Sequence, residues 1–148
     1  MISQKAKYAL RALIALAKAD PKEPLLISGI ASEQRIPRKF LEQILLELKH
    51  CGLVVSRRGK LGGYALLKPA AEITFGQVLR LIDGPIAPLP CLSVTAYRRC
   101  ADCQDEATCE IRRVFARVVA AERAVLDKTT VADSVSGLVT NATAKSGV

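Results

Sequence analysis

With 148 residues, half of them hydrophobic and 24% charged, the chain fits one compact domain or a small domain plus an accessory element, and two large independent domains are excluded. No apolar run reaches the length of a membrane span, and the first apolar stretch carries Arg11 and Lys18 where a signal peptide would be uncharged, so a cytoplasmic protein without a membrane partner is expected. The net charge of +8 is polarised: residues 1–68 hold 13 Lys and Arg against 5 Asp and Glu, whereas residues 69–148 hold 9 of each. A phosphate backbone rewards such a surface through counterion release, although a membrane-surface protein would share the sign.

In chain order, Ala6, Leu10, Leu13, Ile14 and Ala17 recur at helical spacing over residues 3–19, and Pro21 supplies a stop. Residues 25–27 fit a short strand, after which Ser28 is expected to cap a brief helix over 29–35 that buries Ile30 and Ala31. Proline disfavours helix in the residue before it and suits the first turn of the helix after it, so Ile36-Pro37 marks a sharp turn between helices. A third helix over 37–50 would turn Phe40, Leu41, Ile44, Leu45 and Leu48 inward and Arg38, Lys39, Glu42, Gln43 and Lys49 outward, with Gly52 in the left-handed position that ends it.

Residues 53–55 and 64–67 read as two strands joined by the basic loop Arg57-Arg58-Gly59-Lys60-Leu61-Gly62-Gly63. A helix capped by Thr74 carries Val78, Leu79 and Ile82 on one side and ends at Gly84-Pro85. Residues 85–109 hold three prolines and four cysteines without periodicity, a loop organised by something other than a hydrophobic core. In the long helix that follows, Ile111, Val114, Phe115, Val118, Val119, Val125 and Leu126 line one face, with Arg112, Arg113, Arg117 and Arg123 outside. A stripe of that length suits a partner subunit, and Thr130 is placed to cap a last short turn. The expected fold is mainly α with a small β-wing: a winged helix-turn-helix over 1–84, a cysteine-rich sensor loop over 85–109, a dimerisation helix and short terminal helix over 110–138, and a disordered tail over 139–148.

A helix that follows a tight turn can lie in the major groove, where Glu42 could accept from a cytosine amino group, Gln43 could pair with adenine, and Arg38 and Lys39 could take guanine or phosphate. Arg57, Arg58 and Lys60 sit on a glycine-flanked ribbon, and an arginine there could enter a narrow, strongly negative minor groove. Each feature alone equally fits a solvated helix face or a charged turn. The wing follows directly on the recognition-type helix, inside the half carrying the whole charge excess, and the combination points to DNA.

The cysteines run Cys91-x8-Cys100-x2-Cys103-x5-Cys109. Four soft thiolates in so short a span suit an iron–sulfur cluster or a tetrahedral zinc site, and the CxxC pair Cys100 and Cys103 could equally close a disulfide, so spacing alone does not choose. Cys51, apart from these, reads as a small buried hydrophobe, and His50 beside it as a helix C-terminal cap. No phosphate-cradling glycine fingerprint is present, and Gly59 to Gly63 precede a strand rather than a helix. An enzyme is therefore not expected, a CxxC redox enzyme being the residual catalytic alternative.

The strings KYALRAL, FLEQIL and GLVVSRRGKLGGYALLKPA resemble the IscR/NsrR-type winged-helix transcriptional regulators of the Rrf family, over residues 1 to 135. The resemblance implies a homodimer on a palindromic or pseudo-palindromic operator, with Arg38, Lys39, Glu42 and Gln43 in the base-reading stretch, Arg58 as the wing arginine and the helix around Val114 to Leu126 as the dimerisation helix. It further implies an iron–sulfur cluster on three cysteines, matched by Cys91, Cys103 and Cys109, plus one further ligand. Where IscR has a ligand histidine this chain has Arg112, and where NsrR has a ligand aspartate on its first helix this chain has Lys7. Cys100 is then the natural fourth ligand, and four thiolates serve [2Fe–2S] and [4Fe–4S] clusters alike, with zinc as the alternative metal.

Overall fold

The Ser3 hydroxyl accepts a hydrogen bond from the Ala6 amide at 3.0 Å and starts helix α1 (Gln4–Lys18), whose inner face of Ala6, Ala9, Leu10, Ala12, Leu13, Ala15 and Leu16 is buried. The structure is a computed structural model describing residues 2–60 and 62–137; the tail expected over 139–148 lies outside the described residues. Helix α2 (Ile27–Gln34) begins two residues before the expected start, with Leu26 at its N-cap and no side-chain cap, so Ser28 does not cap it. The strand expected over 25–27 reduces to a single bridge, in which Leu25 and Tyr64 exchange two backbone hydrogen bonds of 2.8 Å.

Between α2 and the next helix, Arg35 takes the left-handed conformation at φ 54°, and its amide closes on the carbonyls of Ala31 and Ser32. Helix α3 (Arg38–His50) follows Pro37 and buries Leu41, Ile44, Leu45 and Leu48. Phe40, expected inside, is 39% exposed and meets Tyr8 of α1 edge-on at 5.7 Å, because the first turn of α3 projects past the core. Cys51, expected buried, is exposed: it is the C-cap of α3, one position beyond the helix, and Gly52 then leaves the helix at φ 77°.

Strands β1 (Val54–Arg57) and β2 (Gly63–Leu66) pair antiparallel from Val54↔Leu66 to Arg57↔Gly63. Gly63, at φ 144°, lies where a Cβ would come within 2.6 Å of the Leu25 carbonyl carbon, so the wing is pressed against the segment before α2 by a close backbone approach. Lys49 of α3 reaches Ser56 of β1 with a 2.8 Å hydrogen bond, fixing the wing to the helix it follows.

Thr74 caps helix α4 (Phe75–Asp83), accepting from the Gln77 amide at 3.1 Å. The irregular stretch after α4 contains one short 3-10 turn, Pro90–Leu92, and leads to helix α5 (Glu110–Leu126). Thr130 and Asp133 form a reciprocal capping box at the start of helix α6 (Val131–Ser136). This last helix returns to the front of the molecule: the Val131 amide donates to Ile73 at 2.8 Å and its side chain is fully buried in the core with α1.

One core cluster joins α1, α2, α3, β1, α4 and α6, while along α5 only Val119 is buried and Leu126 packs on the core from the side. The far end of α5 is held by Arg80 of α4, whose guanidinium donates to both carboxylate oxygens of Asp127 at 2.6 and 2.9 Å. Gly76 leaves room for that carboxylate, which a side chain there would strike. The Arg80 guanidinium holds the Asp127 carboxyl below the usual carboxylate range. A depressed folded pKa means that the stabilisation is present above the ordinary carboxylate range and disappears as pH falls through the lower folded value. Asp127→Asn is therefore expected to lower stability by under about 1 kcal/mol at neutral pH, both groups being partly solvated. Urea unfolding at a series of pH values should show the wild-type advantage at pH 7 and its decline as pH falls below the ordinary carboxylate range.

Candidate nucleic-acid interface and cysteine cavity

Arg38, Lys39, Glu42 and Gln43 are all exposed on the outer side of α3, opposite its buried stripe, and Arg57, Arg58 and Lys60 are exposed on the wing. The helix face and the ribbon expected to contact DNA are therefore both free of the protein core. Within the helix face, Arg38 Nε donates to Glu42 Oε1 at 3.2 Å, an i,i+4 pair on a solvated surface. Such a pair is worth only a few tenths of a kcal/mol, so either side chain is released at little cost. Lys5 of α1 pairs with Glu47 of α3 at 2.5 Å and steadies the opposite flank of the same helix.

The second site is a cavity of about 400 Å³, and all four loop cysteines line it. Cys91 sits buried on the short 3-10 turn, and Cys100, Cys103 and Cys109 are half-buried; all four are free thiols. The CxxC pair is brought together by a tight turn, with the Cys103 amide donating to the Cys100 carbonyl at 3.1 Å. Partial burial and then the adjoining Cys91 sulfur push the Cys100 thiol above its usual range. Arg99 folds over the loop, donating to the carbonyls of Cys103 and Gln104 at 3.2 and 2.8 Å, with the Cys103 side chain beside it.

Cys109 has two duties. It is the N-cap of α5, its sulfur accepting from the Arg112 amide at 3.4 Å, and it lines the cavity. Two of the arginines expected outside the long helix are half-buried against this loop: Arg112 lines the cavity, and Arg123 donates to the Leu92 carbonyl at 3.2 Å, next to Cys91. The helical period ranked these two with Arg113 and Arg117 because the loop that folds back over α5 has no period of its own. Lys7 is exposed on α1.

The donor set suits a thiolate-ligated group: four soft sulfurs and one cation around a single cavity. Among the described residues no three His, Cys, Asp or Glu side chains are arranged to hold a lone metal ion. A cluster spreads its protein ligands over two or more irons and does not require convergence on one point.

A three-helix unit with a two-stranded wing, a basic outer helix face and a separate long helix is the architecture of a winged helix-turn-helix protein. Residues 2–137 match the model of the family described as Rrf2, iron-dependent transcriptional regulator, and the chain belongs to that family. A Rhodobacter capsulatus protein named as an rrf2-like HTH-type transcriptional regulator is 49% identical over 136 residues, covering 90% of this chain and 91% of that one. The HTH-type transcriptional regulator CymR of Bacillus subtilis is 35% identical, covering 91% of this chain and 89% of its own. Its solved structure, the global cysteine regulator CymR, superposes with a TM-score of 0.77 at 34% identity over 93% of this chain and 97% of that one. The structure of an IscR from T. potens superposes at 0.72 with 26% identity, over 93% of this chain and 88% of that one. Among the described residues no helix is long and apolar enough to cross a membrane.

Proposed function

We propose that this Rrf2-family regulator binds a palindromic or pseudo-palindromic operator as a homodimer and that its operator affinity is set by an iron–sulfur cluster held at Cys91, Cys100, Cys103 and Cys109. One observation carries the reading: four cysteines spread over a 19-residue stretch line a single cavity at the root of α5. When bound, such a cluster supplies an oxidation-sensitive centre whose loss changes the charge and shape of the loop. On the DNA side, Arg38, Lys39, Glu42 and Gln43 read bases in the major groove while Arg57, Arg58 and Lys60 engage backbone and minor groove. Two-fold symmetry of the protein then matches two-fold symmetry of the operator.

Side chains already in place link the two sites. Cys109 caps α5, Arg123 ties α5 to the Leu92 carbonyl beside Cys91, and Asp127 at the other end of α5 is clamped by Arg80 of α4. A change at the sulfurs therefore acts on a helix attached at its far end to the DNA-binding unit, and regulation requires that the loop favour one of two arrangements of that attachment.

The adjoining Cys91 and Cys100 sulfurs support a second reading, in which these two thiols form a reversible disulfide on the same scaffold without a cluster. Anaerobic purification with iron, sulfide and zinc analysis, followed by operator binding before and after oxidation, tests both. Iron and acid-labile sulfide in near-equal amounts, with operator affinity changing on cluster loss, is expected. A colourless protein that switches reversibly with dithiol reductant would replace the cluster by the disulfide, and one equivalent of zinc per chain would replace it by a structural metal. Operator binding indifferent to iron, oxidant and reductant would remove the switch altogether.

A further inference from the structure

Arg112 is the one cation in the wall of the four-cysteine cavity, and its guanidinium Nε is buried with no hydrogen-bond partner among the described residues. The carboxylates that share the wall do not satisfy it. Asp105 is occupied by the Ala107 amide at 3.0 Å and the Thr108 hydroxyl at 3.1 Å, Glu106 accepts from the Tyr97 hydroxyl, and among the described residues neither these two nor Asp102, the third carboxylate of the wall, forms an ion pair with Arg112. A buried, charged N–H without an acceptor is costly, and such a group in a native structure calls for a missing partner. The partner must be an acceptor, one that carries negative charge would also balance the guanidinium, and the cavity that Arg112 shares with the cysteine sulfurs is the space in which it could sit. Sulfur in a thiolate-ligated metal group fits on all three counts, because four thiolates around a metal or cluster leave a net negative charge to be balanced.

We propose that Arg112 is a positioning residue for the group held in the cavity, donating from its guanidinium to the bound group's sulfur and balancing its charge. The assignment rests on the reading of the cavity as a thiolate–metal site, but it is not tied to iron. It also gives a physical role to the position at which the chain departs from a ligand histidine: the side chain supplies hydrogen bonds and charge where a histidine would supply a coordinating nitrogen. The backbone amide of Arg112, donating to Cys109 Sγ, places a second donor from the same residue on the same cavity. Hydrogen bonds to sulfur and nearby positive charge favour the more negative, reduced form of a cluster and strengthen retention of an anionic metal–thiolate group.

The test uses the full chain as wild type, Arg112→Gln and Arg112→Lys. In the first arm, reduced metal-free protein is titrated anaerobically with cadmium ion, which must draw the loop thiolates together as it binds, against a competing chelator, the cadmium–thiolate absorption reporting occupancy. Arg112→Gln is expected to bind cadmium about 10-fold more weakly or worse, in line with the loss of an outer-sphere partner, with Arg112→Lys between it and wild type. In the second arm, the iron–sulfur-reconstituted proteins are titrated for reduction potential. Removing the positive charge should move the potential negative by roughly 60 mV, the equivalent of a tenfold change in a one-electron equilibrium.

Thermal unfolding of the metal-free proteins separates positioning from architecture, since loss of an unpaired charge should not destabilise the empty form. Equal cadmium affinity in wild type and Arg112→Gln would overturn the proposal, as would destabilised metal-free Arg112→Gln with unchanged affinity. Wild type that takes up no iron or sulfide, while the cadmium difference persists, would overturn the iron–sulfur reading and uphold the role of Arg112 toward a thiolate-bound metal.

Discussion

For the proposed homodimer, Val114→Glu combined with Val118→Glu is expected to leave the chain folded, make it monomeric and weaken operator binding by at least about 100-fold. The reasoning starts from α5, where Ile111, Val114, Phe115, Val118 and Val125 form an apolar stripe of 3–4 spacing and are 61, 59, 38, 41 and 62% exposed in the single chain. A charge at an exposed position of one chain costs little, within about half a kcal/mol. In a two-fold interface each substitution occurs twice and each carboxylate is desolvated without a partner, about 3–5 kcal/mol for an uncompensated buried charge. A dimer of ordinary affinity does not survive that, and a monomer engages one half-site without the second. Light scattering for mass, far-ultraviolet circular dichroism for fold, and operator titration at fixed salt check the three parts. A double variant that remains dimeric would remove α5 from the interface.

The second large effect is expected from Gly63→Ala, a change of one methyl group. The residue sits at φ 144°, and an added Cβ would come within 2.6 Å of the Leu25 carbonyl carbon and 3.0 Å of the Leu26 amide nitrogen. These are backbone atoms, which no rotamer change can move aside, and they belong to the bridge that seats the wing. Backbone strain and displacement together should cost roughly 2–4 kcal/mol, lowering Tm by about 6 °C or more. Gly59→Ala is the matched control: it too has a positive φ, 109°, but a Cβ there meets nothing within 4 Å. Thermal unfolding should therefore rank Gly63→Ala well below Gly59→Ala. Equal losses would mean that strain alone, without the close approach, accounts for the glycine.

Local chemistry made much of the architecture legible. Thr74 and Thr130 announce helix starts because their side chains satisfy amides only a few residues away, and both do so; Ser3 caps α1 in the same way, although its helix was read from periodicity alone. Ile36-Pro37 and the glycine-flanked basic loop mark turns for equally local reasons, and α3 and the wing follow. Helix α2 carried no such signal at its start, since Leu26 offers no cap, and its beginning was misplaced by two residues. Phe40 and Cys51 were misassigned at the two ends of α3, where helical period continues in sequence but the core beneath does not.

Long-range placement was the least legible. The return of α6 to the core through Val131 is invisible to periodicity, and so is the turning of Arg112 and Arg123 toward a loop that has no regular structure. The cysteine spacing admitted metal and disulfide alike. Their common cavity, and the unpaired Arg112 nitrogen beside it, depend on how residues 85–109 fold over α5.

The cap at the start of α5 has a consequence for how this regulator tolerates change. Cys109 holds the helix through an acceptor atom, and serine offers a better one. A Cys109→Ser substitution therefore preserves the helix, the exposed stripe and the DNA-reading surface while deleting the sulfur. Under the proposed cysteine switch, the same scaffold would lose its response by one conservative step while keeping its fold, so an intact fold in a relative would be no guarantee of an intact switch.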